Sequence, residues 1–422
     1  MSDRQGPGSG LDLGRLTEEL DARLKPADAA LARRYPGERF GRQPVHTVYV
    51  PADRFHAGLV KEYGEWALWS VDDHEALLLE LFEGDEALLD RVREKLGREP
   101  VEDLRIDFED GYGPRTDAEE DLAARAAARE LRVAIEEGGA PPFTGIRFKS
   151  FEKPTRDRGL RTLAFFLETL ADGGPLPEGF VVTLPKVTSV DQVEALVHTT
   201  QRLETGLGLV ARSLRFELQI ETPQSILGPD GTALVARMIH ASGGRCTGLH
   251  YGTYDYSAYC GIAAAHQSLE HPVADHAKAV MQAAAAGTGV RLSDGSSNVL
   301  PVGDTDEVRD IWTDHLRLVR RSLERGYYQG WDLHPAQLPT RFGATFAFYR
   351  GGFAAAAERL RNYVERQSSG ILDEPATVRA LADFLLRGLD CGAISTDEVA
   401  TSTGLDAGRL AGLAHRATGE GV

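Results

Sequence analysis

Eight short β-type runs, strung along the chain and separated by helical stretches, constrain this sequence more than any other feature. They are HTVYVP (46–51), LRIDFED (104–110), GIRFKSF (145–151), FVVTLPKV (180–187), RFELQIET (215–222), CTGLHYG (246–252), GVRLSDG (289–295) and YYQGWDLHP (327–335). Most intervals leave room for one helix and two loops, and helical periodicity is plain in 117–137 and 189–204. Strands that alternate with helices are joined by crossovers and run parallel. Eight such units predict an α/β fold, a closed (β/α)8 TIM barrel with an N-terminal helix and a C-terminal helical extension.

The interval between the first two runs is wider than the rest. It holds ALWSVD (67–72), a candidate extra strand, and HEALLLELF (74–82), a helix. An open doubly wound sheet therefore stands as the alternative. Ahead of the barrel, residues 1–10 form a Gly-, Ser- and Pro-rich tail expected to be disordered. Leu13, Leu16, Leu20 and Leu24 then recur at helical spacing within a helix expected from Leu11 to Arg34. After residue 345 the strand signal stops. The expected division is 1–40 tail and helix, 41–345 catalytic barrel and 346–422 helical lid or extension. STDEVATSTGLDAGRLAGL superficially resembles a helix-turn-helix, but a capped helix pair that packs on the body is the favoured reading.

The 47 Lys plus Arg against 64 Asp plus Glu give a formal charge of −17. Nucleic-acid binding needs a cationic footprint, so this balance argues against it. Cys246, Cys260 and Cys391 form no CxxC pair and no disulfide framework, so a cytoplasmic location is expected. The N-terminus has no apolar signal-peptide core, and no run approaches the roughly 18 apolar residues of a membrane span.

In such a barrel the active site lies at the C-terminal strand ends. Glu221 stands at the end of the fifth run, followed by Thr222 and Pro223, and Asp255 lies just past the sixth. The two come from neighbouring strands and can converge as hard oxygen ligands, which suits Mg²⁺. A structural carboxylate paired to an arginine is the bland reading of Glu221. Arg147 on the third run needs an acid or an anionic ligand: either a substrate carboxylate or enolate oxygen, or a structural pairing with Asp107 or Glu109. Asp107 and Glu109 share a face by period two, and Asp110 lies at the strand end. Lys186 is either a Schiff-base amine or, the favoured reading, a neutraliser of nearby acids. His334 is either a general base or a second-layer or capping residue. GLGLV (206–210) is too weak a glycine motif to suggest a nucleotide site.

Taken in order, VYVPADR, DFEDG, GIRFKS, LPKV, QIETP, YGTYDYS and DLHPAQ resemble the HpcH/HpaI aldolase and citrate lyase beta-subunit family over roughly residues 46–340. The longer first insertion, Arg-Phe-Lys where many relatives have Arg-Val-Asn, and the long C-terminal part mark a divergent branch. The resemblance implies Mg²⁺, with Mn²⁺ as an alternative, held by Glu221 and Asp255. Glu109 and Asp110 would support the ion through water, with Asp107 beside them. It implies substrate contact by Arg147, and a carbon–carbon lyase or aldolase acting on a 2-oxo acid or acyl-CoA through an enolate. Lys186, His334 and the backbone amides of Gly252 and Thr253 complete the expected substrate side. Some relatives borrow a lid carboxylate from a neighbouring subunit. Asp373 and Glu374 are the candidates here, and a homo-oligomer is expected. Malate synthase-like Claisen condensation and phosphoryl transfer on the same barrel remain the rival chemistries, and a non-catalytic regulator the rival class.

Overall fold

The computed structural model describes residues 12–39, 41–367 and 375–414. Eight strands form a closed barrel: β1 (His46–Pro51), β2 (Asp103–Asp107), β3 (Phe143–Arg147), β4 (Phe180–Leu184), β5 (Arg215–Ile220), β6 (Cys246–Tyr251), β7 (Arg291–Ser296) and β8 (Gln329–Asp332). Each pairs in parallel with its neighbours, and β8 closes on β1. All eight predicted runs are strands. The closed ring removes the open-sheet alternative.

The differences are local. ALWSVD lies inside the helix Leu59–Asp73, where Leu59, Gly64, Ala67 and Val71 are buried at helical spacing. A period near 3.6 outweighs the short apolar run. β2 stops at Asp107, three residues early, because the Asp107 carboxylate accepts the backbone N–H of Glu109 and of Gly111, each at 2.9 Å. Those bonds turn the chain out of the ladder. β4 stops at Leu184, since Pro185 has no N–H to give and Lys186 adopts a left-handed backbone with φ 51°.

The helix Leu13–Arg34 forms as expected, capped by the Asp12 side chain, but none of its residues is buried. At the other end, the helix Leu338–Gln367 runs unbroken across residue 345. Helices Pro375–Cys391, Thr396–Thr403 and Ala407–Ala414 follow. The last two meet at Gly404, whose φ of 72° is the left-handed cap of the first. Val399, Leu405 and Leu410 of this pair are buried, as a packing element requires. The lid candidates Asp373 and Glu374, and residues 1–10, lie outside the described residues. Among the described residues no helix is long and apolar enough to cross a membrane.

Alternation along each strand sorts the side chains. On β2, Leu104 and Ile106 pack outward with the helices, while Asp103, Arg105 and Asp107 turn inward. Strand β5 does the same with Phe216, Leu218 and Ile220 against Glu217 and Gln219. β2 and β5 are not neighbours, yet Arg105 reaches Glu217 at 2.6 Å, so the contact crosses the barrel interior. Arg105 also pairs with Asp103 and donates to the Thr183 hydroxyl at 3.1 Å. His250 Nε2 lies 3.0 Å from Glu217, and Trp331 Nε1 donates to His250 Nδ1 at 2.8 Å. A barrel normally fills its interior with branched apolar side chains. This one fills it with charges that must satisfy one another, because a buried ion without a partner is costly.

A second buried group locks the barrel seam. Asp332 at the end of β8 accepts from His46 Nδ1 on β1 at 2.8 Å and from Arg341 Nη2 at 2.9 Å, with His315 Nε2 at 3.4 Å. Burial favours the neutral acid, but Arg341, His315 and His46 outweigh it and hold the carboxyl well below the usual range. A depressed folded pKa means stability that is fully present above the unfolded value of about 3.9 and lost as pH falls through the folded one. Thermal melts between pH 5 and pH 2 should therefore show a steeper acid loss for the wild type than for Asp332→Asn. The variant should start from a lower melting temperature at pH 7. Parallel acid limbs would remove Asp332 from the account.

Candidate active site

The C-terminal mouth of the barrel gathers Glu109, Asp110, Glu221 and Asp255 around Lys186. Lys186 Nζ contacts the Glu109 carboxylate, both oxygens of Asp110 at 2.9 Å, and Asp255 Oδ2 at 3.3 Å. The Lys186 backbone N–H donates to Glu221 Oε1 at 2.7 Å. The left-handed turn after β4 thus aims one residue's amide and its side chain into the same acidic group. Burial favours the neutral amine, but Glu221, Glu109 and Asp110 hold Lys186 protonated, above the usual lysine range. A protonated amine is no Schiff-base nucleophile.

Glu221 is fully buried at the end of β5. Its Oε2 accepts from Gln219 Nε2 at 2.5 Å. Burial pushes its carboxyl up to about 8; Lys186 opposes this, while Glu109 and Asp255 add to it. Asp255 lies in the first turn of the helix Thr253–Tyr259, directly after β6. Arg147 at the end of β3 makes a two-pronged pair with Asp107, from Nε and Nη2, each at 2.7 Å. Its Nη1 donates to Gln219 Oε1 at 3.2 Å and lies 3.4 Å from Glu109. The guanidinium also stands over the Tyr49 ring, 4.9 Å from its centre. Arg147 therefore has the structural partner that was one of its two readings, and that pair holds it at the edge of the acidic group.

A family profile described as a domain of unknown function, DUF6986, matches residues 24–418. The chain belongs to this DUF6986 family. No curated protein matches the chain. Among solved structures, a citrate lyase from Burkholderia xenovorans is similar at 20% identity and a TM-score of 0.57, over 86% of this chain and 97% of its own. Haloferax volcanii malate synthase in its magnesium–glyoxylate complex matches at 14% identity and a TM-score of 0.48, over 72% of this chain and 76% of its own. The CitE protein of Mycobacterium tuberculosis, in complex with magnesium and acetate, matches at 17% identity and a TM-score of 0.44, over 84% and 98%. The first of these likenesses shows a shared fold, and nothing further rests on the other two.

In this DUF6986 barrel the remaining sequence-expected residues fall differently. Gly252 is a correction. Its N–H donates to the Ile220 carbonyl at 3.0 Å, so it is already engaged and cannot face a substrate oxygen. The reason for a glycine is space: a Cβ there would lie 2.4 Å from Glu221 Cβ and 2.7 Å from Oε2. Thr253 opens the helix after β6, where a backbone N–H has no partner within the helix. Neither a hydrogen bond nor an ion pair joins His334 to the Glu221 group among the described residues. Its Nδ1 accepts from Ala336 N at 3.2 Å, the capping role that stood as its alternative. Lys149, two residues after Arg147, turns away from the site to Glu120 Oε2 at 2.5 Å and the Phe108 carbonyl at 2.7 Å. That contact anchors the helix Asp117–Glu136 to the strand end beside Arg147.

Two residues at the site escaped the sequence reading. Gln219 bridges Arg147 to Glu221, and Tyr49 lies under Arg147. Gln219 had a legible signal, since it stands two residues before Glu221 on the same strand face. Tyr49 had only its place in VYVP.

The donor set can be tested against a divalent ion. Among the described residues no group of three or more His, Cys, Asp or Glu side chains forms a ready cage. Mg²⁺ does not require one: it usually takes one or two carboxylates and keeps several waters. Glu221 and Asp255 are two hard carboxylates that both meet Lys186, the first at its backbone N–H and the second at its ammonium, and Glu109 and Asp110 hold the same ammonium. That chemistry fits the ion.

Proposed function

We propose that this protein is a Mg²⁺-dependent carbon–carbon lyase or aldolase that handles a 2-oxo acid or acyl-CoA type substrate through an enolate. The observation that carries this reading is the meeting of Glu109, Asp110, Glu221 and Asp255 at Lys186, with Arg147 held alongside, at the C-terminal mouth of a closed barrel. Glu221 and Asp255 would hold the ion, which supplies Lewis-acid polarisation of a substrate carbonyl when bound.

The chain's own residues do the rest. Asp107 fixes the Arg147 fork so that the remaining donor edge can meet a substrate carboxylate or the oxygen on which enolate charge develops. The Thr253 N–H is a second donor to that charge. Gln219 keeps Arg147 and Glu221 in register by bonding both. Lys186 balances the acids, which in its absence would repel one another. The condensing direction uses the same groups.

The test begins with a thermal-shift screen of pyruvate, oxaloacetate, glyoxylate, phosphoenolpyruvate and acyl-CoA esters, each with Mg²⁺. Turnover of the best binder should vanish in EDTA and return with added Mg²⁺. Asp255→Ala should lose it permanently while keeping its circular dichroism. Full turnover in EDTA would overturn the metal. Phosphate release from phosphoenolpyruvate would replace carbon–carbon cleavage with phosphoryl transfer.

A further inference from the structure

We propose that the opposite, N-terminal end of the barrel binds a small metabolite carrying several phosphate groups, gripped by Arg39, Arg215 and Arg291. A cavity of about 730 Å³ opens there, lined by these three arginines, with Arg105 and Glu217 of the barrel interior among its walls. Its volume lies in the range of nucleotide-sized ligand pockets. Arg215 and Arg291 are the first residues of β5 and β7, so two of the three stand on rigid strand starts.

What marks the site is that, among the described residues, no ion pair joins these three guanidinium groups to an acid; Glu178 lines the cavity but is exposed, and Asp390 and Glu217 attract Arg291 without pairing with it. Among the described residues, every hydrogen bond from the three guanidinium groups goes to a backbone carbonyl. Arg39 reaches Gly289 at 2.8 Å and Cys246 at 3.0 Å, Arg215 reaches Gly244 at 2.7 Å, and Arg291 reaches Arg42 and Gly41 at 2.5 Å. The buried acids of the cavity, Asp103 and Glu217, already pair with Arg105. Burial, and then the charges of Arg387 and Arg39, push Arg291 down to about 10. Burial, and then Arg39, Arg212 and Arg245, lower Arg215 in the same way. A guanidinium does not give up its proton under such conditions, so the crowding persists as repulsion that a bound polyanion relieves.

The chain's formal charge of −17 sharpens the point. A protein this acidic repels a long polyanion such as nucleic acid. A small one can enter a concave site where three guanidinium groups converge without an ion-paired acid. Each guanidinium still has N–H donors free for a phosphate oxygen, a geometry suited to two-pronged grips.

The experiment is calorimetric titration of the full chain in Mg²⁺-free buffer with inorganic tripolyphosphate, with tricarballylate and sulfate at matched ionic strength for comparison. The expected result is one site per chain, at least tenfold tighter for tripolyphosphate than for either comparison anion. Arg215→Gln and Arg291→Gln should each weaken it at least tenfold. Arg129→Gln, on the exposed face of the helix Asp117–Glu136 and outside the cavity, should leave it unchanged. Arg215→Lys keeps the charge and should bind at intermediate strength even if the Gln variants fold poorly. Tripolyphosphate that raises the wild-type melting temperature no more than sulfate overturns the site. Equal or tighter binding of tricarballylate overturns the phosphate class, and equal weakening by Arg129→Gln overturns the location.

Discussion

Replacing Arg147 by Lys is expected to lower kcat/KM on the best substrate of the screen by about a hundredfold or more while leaving the barrel folded. The guanidinium makes two parallel bonds to Asp107 and still offers Nη1 to Gln219 and Glu109. A lysine ammonium is a point charge on a flexible stem and cannot face both sides with fixed geometry. Removing one donor aimed at a developing oxyanion costs about 10²–10³ in rate. Because the positive charge stays, Asp107 keeps a counter-cation and stability should change little. Steady-state kinetics beside a thermal melt separate the outcomes. A rise in KM at constant kcat would restrict Arg147 to ground-state binding. Unchanged kinetics would place it outside the reaction altogether.

Arg105→Ala carries the largest stability loss we expect, about 3–5 kcal/mol. Its guanidinium is the counter-charge for Asp103 and Glu217, all three buried inside the barrel. Truncation leaves Asp103 and Glu217 in a low-dielectric interior without their arginine, and the His250 ring beside Glu217 offsets only part of that loss. It also takes a hydrogen bond from Thr183. Urea unfolding should show the loss as a lower midpoint at constant slope. Adding Glu217→Gln to Arg105→Ala should return part of it, since the uncompensated charge rather than the missing volume dominates. Strict additivity of the two substitutions would show that the pair does not interact as the distances imply.

The acid site was legible in part, and its residues show why. Glu221, Asp255 and Arg147 stand at strand ends, and a barrel puts strand ends in one place. Lys186 was visible as a charge after LPK, but not its left-handed turn or its grip on three acids at once. Gly252 was misread because a sequence shows a backbone N–H at every residue and never shows its partner. The Arg39, Arg215 and Arg291 group was invisible for the opposite reason. Those residues are far apart in the chain, on a linker and two separate strands, and only closure of the ring brings them together.

The sequence by itself determined the eight strands, their order and the barrel, because alternating periods of two and 3.6 are local signals that every element repeats. It also placed Glu221 and Asp255 near the ends of the fifth and sixth strands, but not the points where β2, β3 and β4 stop. The tertiary structure alone decided the partners: Asp107 for Arg147, Gln219 between Arg147 and Glu221, Asp103 and Glu217 for Arg105, and Asp332 for the β1–β8 seam. Pairing of buried charges depends on distances across the barrel. Those distances exist only after the eighth strand has closed on the first.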